Sequence, residues 1–321
     1  MNLGIIGSGL IVGEFVENVK VFSDFHLYGI WGRHEEKIRK FEGFKLYSTN
    51  IDEFLDDSNI DVVYVALPNS LHYEYAYKAL KAGKHVLLEK PFTQTYKQAK
   101  TLADYAKKHK LLLFETISTR HDKEYIKSKK WLSCIGDIKL VNINFCNYSR
   151  RYDKFKKGEV LPVFDYKLAG GALMDLGVYS IHFIVGLLGS PKKLAYYPNI
   201  EKNVDTSGVL VLDYGKFKAN LNTAKDCEAP CYALIQGDKG YIRYNSAVSN
   251  CPSIDLVLND GKKETILASD NSYIASWKYL YGEFRRIYKT KDFDKCYEYL
   301  KESLHVQKVI DDAKISGKLK F

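Results

Sequence analysis

The fold is decided by the stretch Leu3-Gly4-Ile5-Ile6-Gly7-Ser8-Gly9-Leu10-Ile11-Val12-Gly13. Its apolar first half predicts a buried strand that ends at Gly7, and residues 10–21 predict the helix that follows. Gly7 permits a tight turn, and Gly9 lets a phosphate approach the helix N-terminus, where unpaired N–H groups favour an anion. Val12 stands where a third glycine is usual. Such glycines also occur in plain loops, but between a strand and a helix they predict a dinucleotide-binding turn.

Strands and helices alternate over the first 118 residues. Further strands are predicted at residues 25–31, 61–66, 85–88 and 111–116, and helices at 34–41 and 70–81. Two more helices begin at capping signals, Asn50 with Glu53 and Thr95 with Gln98. This alternation is typical of an α/β doubly wound parallel sheet. We therefore predict a Rossmann domain over residues 1–118.

The pattern changes after Arg120. A strand at residues 137–148 and a helix at 173–188 precede five or six short strands between residues 194 and 267. Strands that follow one another without crossover helices predict a largely antiparallel sheet. Helices at 274–288 and 295–316 close the chain. We predict an α+β domain with an open sheet over residues 119–321, whose last helix can pack back on the first domain.

The composition is that of an ordinary globular protein, with 46% hydrophobic and 27% charged residues among 321. No run reaches the ~20 apolar residues that cross a bilayer. The first residues show no basic segment and no long apolar stretch, so we expect no secretory signal. We therefore expect a cytoplasmic protein with no membrane partner. The net charge of +9 comes mostly from scattered lysines, which lack the clustering that nucleic-acid binding needs. The six cysteines lack zinc-site spacing, so we expect free thiols and no metal.

Two further stretches follow the ends of predicted strands. They are Ala66-Leu67-Pro68-Asn69-Ser70-Leu71-His72 and Glu89-Lys90-Pro91. Ligands of an open α/β sheet bind beyond these carboxyl ends. A lysine placed there can hydrogen-bond a substrate oxygen and lower the pKa of a neighbouring acid. A lone Lys-Pro pair is more often an ordinary loop, but its position favours a functional Lys90.

The end of the second strand bears on the choice of dinucleotide. An NAD-binding domain usually places an acidic residue about 20 residues after the glycines, to bind the ribose 2′-OH. Here the sequence is Trp31-Gly32-Arg33-His34, without a carboxylate. Arg33 could pair with a 2′-phosphate, lie over the adenine, or remain a solvated side chain. We therefore expect NADP or NAD, with NADP favoured.

The predicted helix after Gly170-Gly171 carries three polar side chains. Asp175 and Tyr179 are four residues apart, so they share one helical face among apolar neighbours. A carboxylate and a phenol on a largely apolar helix need a partner or a chemical function. The alternative is a surface pair with Tyr179 in the core. His182 borders this face, either as a packing residue or as a substitute proton donor.

Together these stretches resemble the Gfo/Idh/MocA family of NAD(P)-dependent oxidoreductases. The Pro-Asn-x-x-His, Gly-Lys-His-Val and Glu-Lys-Pro stretches stand in the family's order, and residues 170–179 match its second signature. The resemblance implies that Lys90 and Asp175 are catalytic. Tyr179 stands where many members carry histidine, and the dihydrodiol dehydrogenase branch has tyrosine there. Arg120 matches a family arginine only weakly, because the proline that follows it in the family is missing.

The expected contacts follow from these motifs and from the resemblance. Glu115 matches a family position near the nicotinamide, and Phe164 resembles an aromatic residue that approaches the cofactor. The cofactor-binding set is Gly7, Ser8, Gly9, Leu10, Ile11, Arg33, Ala66, Leu67, Pro68, Asn69, His72, Glu89, Lys90, Glu115 and Phe164. Substrate contacts are expected from Arg120, Tyr148, Arg151, Tyr152, Asp165 and His182. Four of these, from Tyr148 to Asp165, could equally belong to a solvated loop.

The resemblance implies an activity and an assembly. The activity is reversible hydride transfer between C4 of the nicotinamide and a carbinol carbon of a sugar, polyol or vicinal diol. Tyr179 would exchange the proton, with Lys90 favouring its anion and Asp175 orienting the pair. The second domain's sheet would form a homodimer or a dimer of dimers. A non-catalytic dinucleotide-binding sensor on the same fold is the alternative, and the intact set Lys90, Asp175 and Tyr179 favours the enzyme.

Overall fold

The first sheet of the computed structural model is parallel and is built from the N-terminal third of the chain. The structure describes residues 1–270 and 273–320. Within them the sheet has six strands, paired in the order β3-β2-β1-β4-β5-β6. They are β1 (Asn2–Ile6), β2 (His26–Trp31), β3 (Leu46–Ser48), β4 (Val62–Val65), β5 (His85–Glu89) and β6 (Leu113–Thr116). The strand order reverses between β1 and β4, and ligands bind at such a reversal.

In the described residues, five α-helices lie in the connections between the strands of the first sheet. They are α1 (Leu10–Val19), α2 (Glu35–Ile38), α3 (Ile51–Asp56), α4 (His72–Lys81) and α5 (Tyr96–Lys108). Both capping predictions are confirmed. The Asn50 side chain accepts from the N–H groups of Asp52 and Glu53, and Thr95 with Gln98 forms a capping box. The sequence did not predict β3, because its three half-buried residues carry too little periodicity.

The second sheet is largely antiparallel, as predicted. In the described chain it has eight strands in the order β14-β13-β12-β11-β7-β10-β9-β8, and only β7 and β10 pair in parallel. The strands are β7 (Ile138–Cys146), β8 (Lys193–Glu201), β9 (Val204–Asp213), β10 (Lys218–Ala224), β11 (Tyr232–Gly237), β12 (Gly240–Tyr244), β13 (Ser253–Leu258) and β14 (Lys263–Leu267). Seven of them follow residue 190, where five or six were predicted.

One face of the second sheet is covered by a helix that begins irregularly. Leu173–Gly177 forms a π-helical turn, and α8 (Val178–Leu188) continues from it. The stretch Tyr166–Leu188 is long and apolar enough to cross a membrane, with a mean hydropathy of 1.6, and 67% of that window is buried inside the protein. Lys167 and Asp175 interrupt its apolar residues, so the sequence analysis counted no run of about 20, and a mostly buried core helix passes the same test of length and composition. The apolar character of Tyr166–Leu188 is explained by its burial, because Leu173, Ile181 and Ile184 pack in the hydrophobic core beneath the second sheet.

The remaining helices complete two compact units. They are α6 (Lys123–Ser128), α7 (Tyr152–Lys156), α9 (Tyr273–Thr290) and α10 (Phe293–Ser316). The first unit comprises Met1–Thr116 with Leu280–Leu304, and the second comprises Ile117–Tyr279 with His305–Phe321. Each unit has its own hydrophobic core. The end of α9, from Leu280, and the start of α10, up to Leu304, therefore belong to the same unit as the parallel sheet.

Candidate active site

The glycine turn after β1 has the geometry of an anion-binding loop. Gly7 has a φ of +138°, and a Cβ there would collide with the carbonyl oxygen of Ala66. A Cβ on Gly9 would meet no described atom within 4 Å. Gly9 is the N-cap of α1, so the first N–H groups of that helix receive no side-chain cap. The turn opens on a cavity of about 490 Å³.

Two lysines that the sequence analysis missed border this cavity. Lys37 and Lys40 line it together with Ser8, Gly9, Leu10, Gly13 and Phe41. Gly32, at the tip of β2, cannot carry a carboxylate, because a Cβ there would lie 2.6 Å from Cγ2 of Ile38. Arg33 is exposed and does not line the cavity. The lining is therefore cationic through Lys37 and Lys40. The signal in the sequence was the spacing of Arg33, Lys37 and Lys40, which stand before, on and after the short helix α2.

His72 links the two stretches that follow β4 and β5. Its ring is fully buried, with Nδ1 2.8 Å from the carbonyl oxygen of Pro91 and Nε2 2.9 Å from that of Leu67. Burial lowers the pKa of His72. A neutral imidazole has one N–H, so it donates to one of these carbonyls at a time. Both ring nitrogens face protein atoms, and a cofactor contact by His72 stays a prediction.

The Glu89-Lys90-Pro91 turn rests on a buried carboxylate. Glu89 accepts hydrogen bonds from the hydroxyls of Tyr64 at 2.5 Å and Thr116 at 2.7 Å, and from the backbone N–H of Lys90 at 3.2 Å. Burial raises the pKa of Glu89. The Lys90–Pro91 peptide bond is cis. The observed contacts of Glu89 therefore fix the backbone of Lys90, whereas its predicted cofactor contact stays untested.

The second signature differs locally from the continuous α-helix that was predicted. α8 begins only at Val178, because residues 173–177 take the wider π-helical turn. Asp205 on β9 anchors this start: its Oδ2 accepts from the N–H of Leu173 and from the hydroxyl of Tyr196, each at 2.8 Å. Burial raises the pKa of Asp205 to about 6. Gly171 has a φ of +122°, and a Cβ there would collide with Asp205.

Asp175, in the π-helical turn, forms an ion pair that the sequence did not indicate. Its carboxylate binds the ammonium of Lys225, just after β10. The Lys225 side chain is 5% exposed and that of Asp175 is 27% exposed. Tyr179 is half-buried on α8, and its ring centre lies 5.9 Å from that of Phe145. Asp175 and Lys225 are separated by 50 positions in the sequence, and no motif relates them.

The residues expected to bind substrate or the nicotinamide take part in local structure. The hydroxyl of Tyr148 donates to Asp153 at 2.7 Å, and that of Tyr152 donates to Glu201 at 2.5 Å. Asp165 accepts from the N–H of Lys167. Phe164 is buried and stacks on Phe155, with ring centres 4.9 Å apart. The others divide by burial: Glu115, Arg120 and His182 are buried, and Arg151 is exposed. Their ligand contacts stay predictions.

Fold and site define a class of enzyme. A parallel, doubly wound sheet carries an uncapped helix N-terminus beside a basic cavity, and Lys90 follows β5, two strands away from β1, at the same edge. A large, mostly antiparallel sheet forms the second unit. This combination is typical of NAD(P)-dependent oxidoreductases with a separate substrate domain.

Comparison with known proteins gives the family. Residues 1–116 match the model of the GFO_IDH_MocA oxidoreductase family with an NAD-binding Rossmann fold, and residues 125–243 match the GFO/IDH/MocA C-terminal domain. The chain is 30% identical to the scyllo-inositol 2-dehydrogenase (NADP(+)) IolU of Bacillus subtilis, over 98% of this chain and 96% of that protein. It is 29% identical to trans-1,2-dihydrobenzene-1,2-diol dehydrogenase of Xenopus tropicalis, over 78% and 77%. The chain therefore belongs to the Gfo/Idh/MocA family of NAD(P)-dependent oxidoreductases.

A solved structure agrees in fold. KijD10, a 3-ketoreductase of Actinomadura kijaniata crystallised with NADP and TDP-benzene, has a TM-score of 0.84 to this chain. The two are 22% identical, and the match covers 98% of this chain and 97% of the other. The predicted family, fold class and enzyme class are thus confirmed.

Proposed function

We propose that the protein catalyses reversible, NADP-linked hydride transfer at a carbinol carbon of a sugar, polyol or vicinal diol. The observation that carries the proposal is the shared edge of the parallel sheet. The glycine turn follows β1 there, and Lys90 follows β5. The substrate class is supported by the names of the relatives from Bacillus subtilis and Xenopus tropicalis, which act on an inositol and on a dihydrodiol.

The residues around the glycine turn fit a dinucleotide. The open space at Gly9 and the uncapped start of α1 suit a pyrophosphate. Lys37 and Lys40, which line the cavity, and the exposed Arg33 after Gly32 would supply positive charge for a 2′-phosphate. Gly32 excludes the carboxylate that would bind a 2′-hydroxyl. NADP is therefore favoured over NAD. When bound, the nicotinamide supplies hydride chemistry at its C4.

Three side chains would manage the proton. Tyr179 donates it to the substrate oxygen during reduction and accepts it during oxidation. A free tyrosine has a pKa near 10, so its anion needs stabilisation, which the ammonium of Lys90 supplies. Asp175 orients the phenol and the substrate hydroxyl. General acid–base assistance of this kind contributes roughly 10²- to 10⁴-fold to the rate.

A substrate panel tests this proposal. The purified full chain is assayed at 340 nm with NADP⁺ or NAD⁺ and inositols, aldoses, alditols and dihydrodiols, and in reverse with the corresponding ketones and NADPH. We expect turnover on at least one polyhydroxylated substrate, with kcat/KM higher for NADP⁺ than for NAD⁺. NADPH binding, followed by its fluorescence, is the control for a folded cofactor site. Tight NADPH binding without turnover on any member would favour the sensor instead.

We also propose a cytoplasmic homodimer, without nucleic-acid or membrane partners, formed through the outer face of the second sheet. On β11, Ala233 and Ile235 are buried, whereas Leu234 faces outward. The outward side chains of β11 and β12 border a cavity of about 390 Å³, namely Tyr232, Leu234, Gln236, Tyr241 and Arg243. An outward face with exposed Leu140 and Tyr241 suits a copy of the same surface.

Light scattering after gel filtration tests the assembly. We expect a dimer mass for the wild type and a monomer for Leu234→Glu. Ile126→Glu, at an exposed position on α6, should leave the mass unchanged. A monomeric wild type at micromolar concentration would contradict the assembly and leave the activity proposal standing.

A further inference from the structure

Lys225 is held more firmly than an ordinary surface lysine. Its backbone N–H donates to the carbonyl oxygen of Thr206 at 2.8 Å, and its own carbonyl oxygen accepts from the N–H of Ser149 at 2.9 Å. The side chain is 5% exposed. The backbone of Lys225 is thus fixed by strand β9 and by the segment after β7.

The charge of Lys225 is directed to Asp175. A buried ammonium needs a compensating partner, and the carboxylate of Asp175 supplies it. The ammonium also lies 5.5 Å from the centre of the Phe164 ring, a favourable cation–π distance. The neighbouring carboxylate of Asp226 is bound by other donors, the hydroxyls of Thr206 at 2.7 Å and Ser207 at 2.8 Å.

Asp175 lies in the π-helical turn Leu173–Gly177, which precedes the regular α-helix α8. A π-helical turn changes the direction in which its side chains leave the helix, and such turns are frequent at functional sites. The Asp175 side chain remains 27% exposed, so a small polar molecule can reach it. The pair therefore combines a fixed, buried lysine with an accessible carboxylate.

We propose that Lys225 is the positioning residue of Asp175, holding its carboxylate in one rotamer for the hydride transfer proposed above. The inference rests on that proposed function. Lys225 acts through Asp175 and contacts no reacting atom. Its loss should therefore lower kcat while leaving NADPH binding unchanged.

A double-mutant cycle separates positioning from a merely structural ion pair. We expect Lys225→Met to lower kcat about 10-fold or more, within the range of coupling between contacting residues. In an Asp175→Asn background the same change should have less than about a 2-fold effect, because the carboxylate it positions is gone. Lys225→Arg, which keeps the charge, should recover most of the lost kcat. The KM for NADPH should stay within about 2-fold throughout.

Lys218→Met is the matched control. Lys218 begins the same strand, β10, and pairs with Asp213 at 2.9 Å, but it is exposed and outside the site. It should leave kcat unchanged. Melting curves and NADPH fluorescence show whether each variant is folded, and Lys225→Arg keeps the cycle informative if Lys225→Met does not fold.

Three outcomes decide the matter. A non-additive cycle with recovery by arginine supports the inference. Losses that simply add in the Asp175→Asn background, or a Lys225→Met enzyme as active as Lys218→Met, overturn it while the proposed function stands. A wild type inactive on the whole substrate panel overturns the proposed function first, and the inference with it.

Discussion

Tyr179 combines partial exposure with packing against an apolar neighbour. It is half-buried on α8 and packs near Phe145, so its ring has a packing contact while part of the residue stays exposed. His182, one turn further along, is fully buried. A buried imidazole is poorly placed to exchange a proton with a substrate. Tyr179 rather than His182 therefore stays the predicted proton donor.

We predict that Tyr179→Phe lowers kcat by ~10²-fold or more, because only the hydroxyl is lost and the ring still packs. Stability and NADPH binding should change little. Measuring kcat against pH checks the role, since the limb at high pH should flatten in the variant. His182→Ala should instead lower the melting temperature. A Tyr179→Phe enzyme with wild-type kcat would refute the assignment.

Lys90 follows β5 on a turn fixed by Glu89 and His72. We predict that Lys90→Met lowers kcat by ~10²-fold or more while the Kd for NADPH changes less than about 3-fold, because the ammonium acts on the proton and not on the dinucleotide phosphates. Stopped-flow single turnovers would locate the loss in the chemical step. A variant that kept more than about a tenth of the wild-type kcat would exclude an acid–base function for Lys90.

The basic residues near the glycine turn should set the cofactor preference. We predict that Arg33→Ala and Lys37→Met each weaken NADP⁺ binding by about 10-fold and NAD⁺ binding by much less, as expected when one charge-assisted phosphate contact is lost. Lys108→Met, at the exposed last residue of α5, is the matched control for charge. Titration of each variant with NADP⁺ and with NAD⁺ measures the two dissociation constants. Equal losses for both dinucleotides would mean that these side chains do not contact a 2′-phosphate.

Some residues of the candidate site could be predicted from the sequence, and others could not. The motifs identified Lys90, Asp175 and the glycine turn, because these carry local signals at strand and helix ends. Lys225 carries none: it follows an alternating strand, and its partner is 50 residues away. The sequence also could not predict the direction of the Glu89 side chain. Only the pairing of β4, β5 and β6 brings its hydrogen-bond donors Tyr64 and Thr116 close to it.

At the scale of elements, helices with caps were predictable and irregular ones were not. Asn50 and Thr95 cap their helices as predicted, because capping depends on residues within one turn. The π-helical turn at Leu173–Gly177 depends instead on Asp205, which holds the N–H of Leu173 from a strand about 30 residues later. A tertiary contact of this kind leaves no periodic signal in the sequence.

The start of the second signature should be sensitive to any side chain at Gly171. We predict that Gly171→Ala lowers the free energy of unfolding by at least roughly 1–3 kcal/mol, because φ is +122° and the new Cβ would collide with Asp205. Gly282→Ala, in the interior of α9 with contacts no closer than 4.0 Å, is the control and should be neutral or stabilising. Urea unfolding of both variants measures the difference. Equal free energies of unfolding for the two variants would mean that the backbone around Gly171 can accommodate a methyl group without loss of stability.

On the scale of the whole molecule, the class of each sheet was predictable from element order, but the route of the chain was not. Alternating strands and helices indicated the parallel sheet, and successive strands indicated the antiparallel one. The return of Leu280–Leu304 to the first unit depends on contacts between distant segments. One such contact joins Asp24, before β2, to Arg285 on α9, 261 positions later.

This contact predicts a pH-dependent stability. Arg285 and Lys289 hold the pKa of Asp24 well below its usual range. A lowered pKa means that the ionised form stabilises the fold, so the contribution is present above the unfolded-state pKa of about 4 and is lost as the pH falls below it. We predict that Asp24→Asn lowers the free energy of unfolding by about 1 kcal/mol at pH 7, because the pair is partly exposed and screened.

Urea unfolding at pH 7, 5 and 3 tests this prediction for Asp24. The difference between wild type and Asp24→Asn should be similar at pH 7 and 5 and should shrink at pH 3, where the wild-type carboxylate is mostly protonated in the unfolded chain. Asp104→Asn, which removes an exposed pair with Lys100 within α5, should cost only a few tenths of a kcal/mol at any of these pH values. A difference for Asp24→Asn no larger than this control would mean that the link between the start of the chain and α9 contributes nothing to stability beyond an ordinary surface pair.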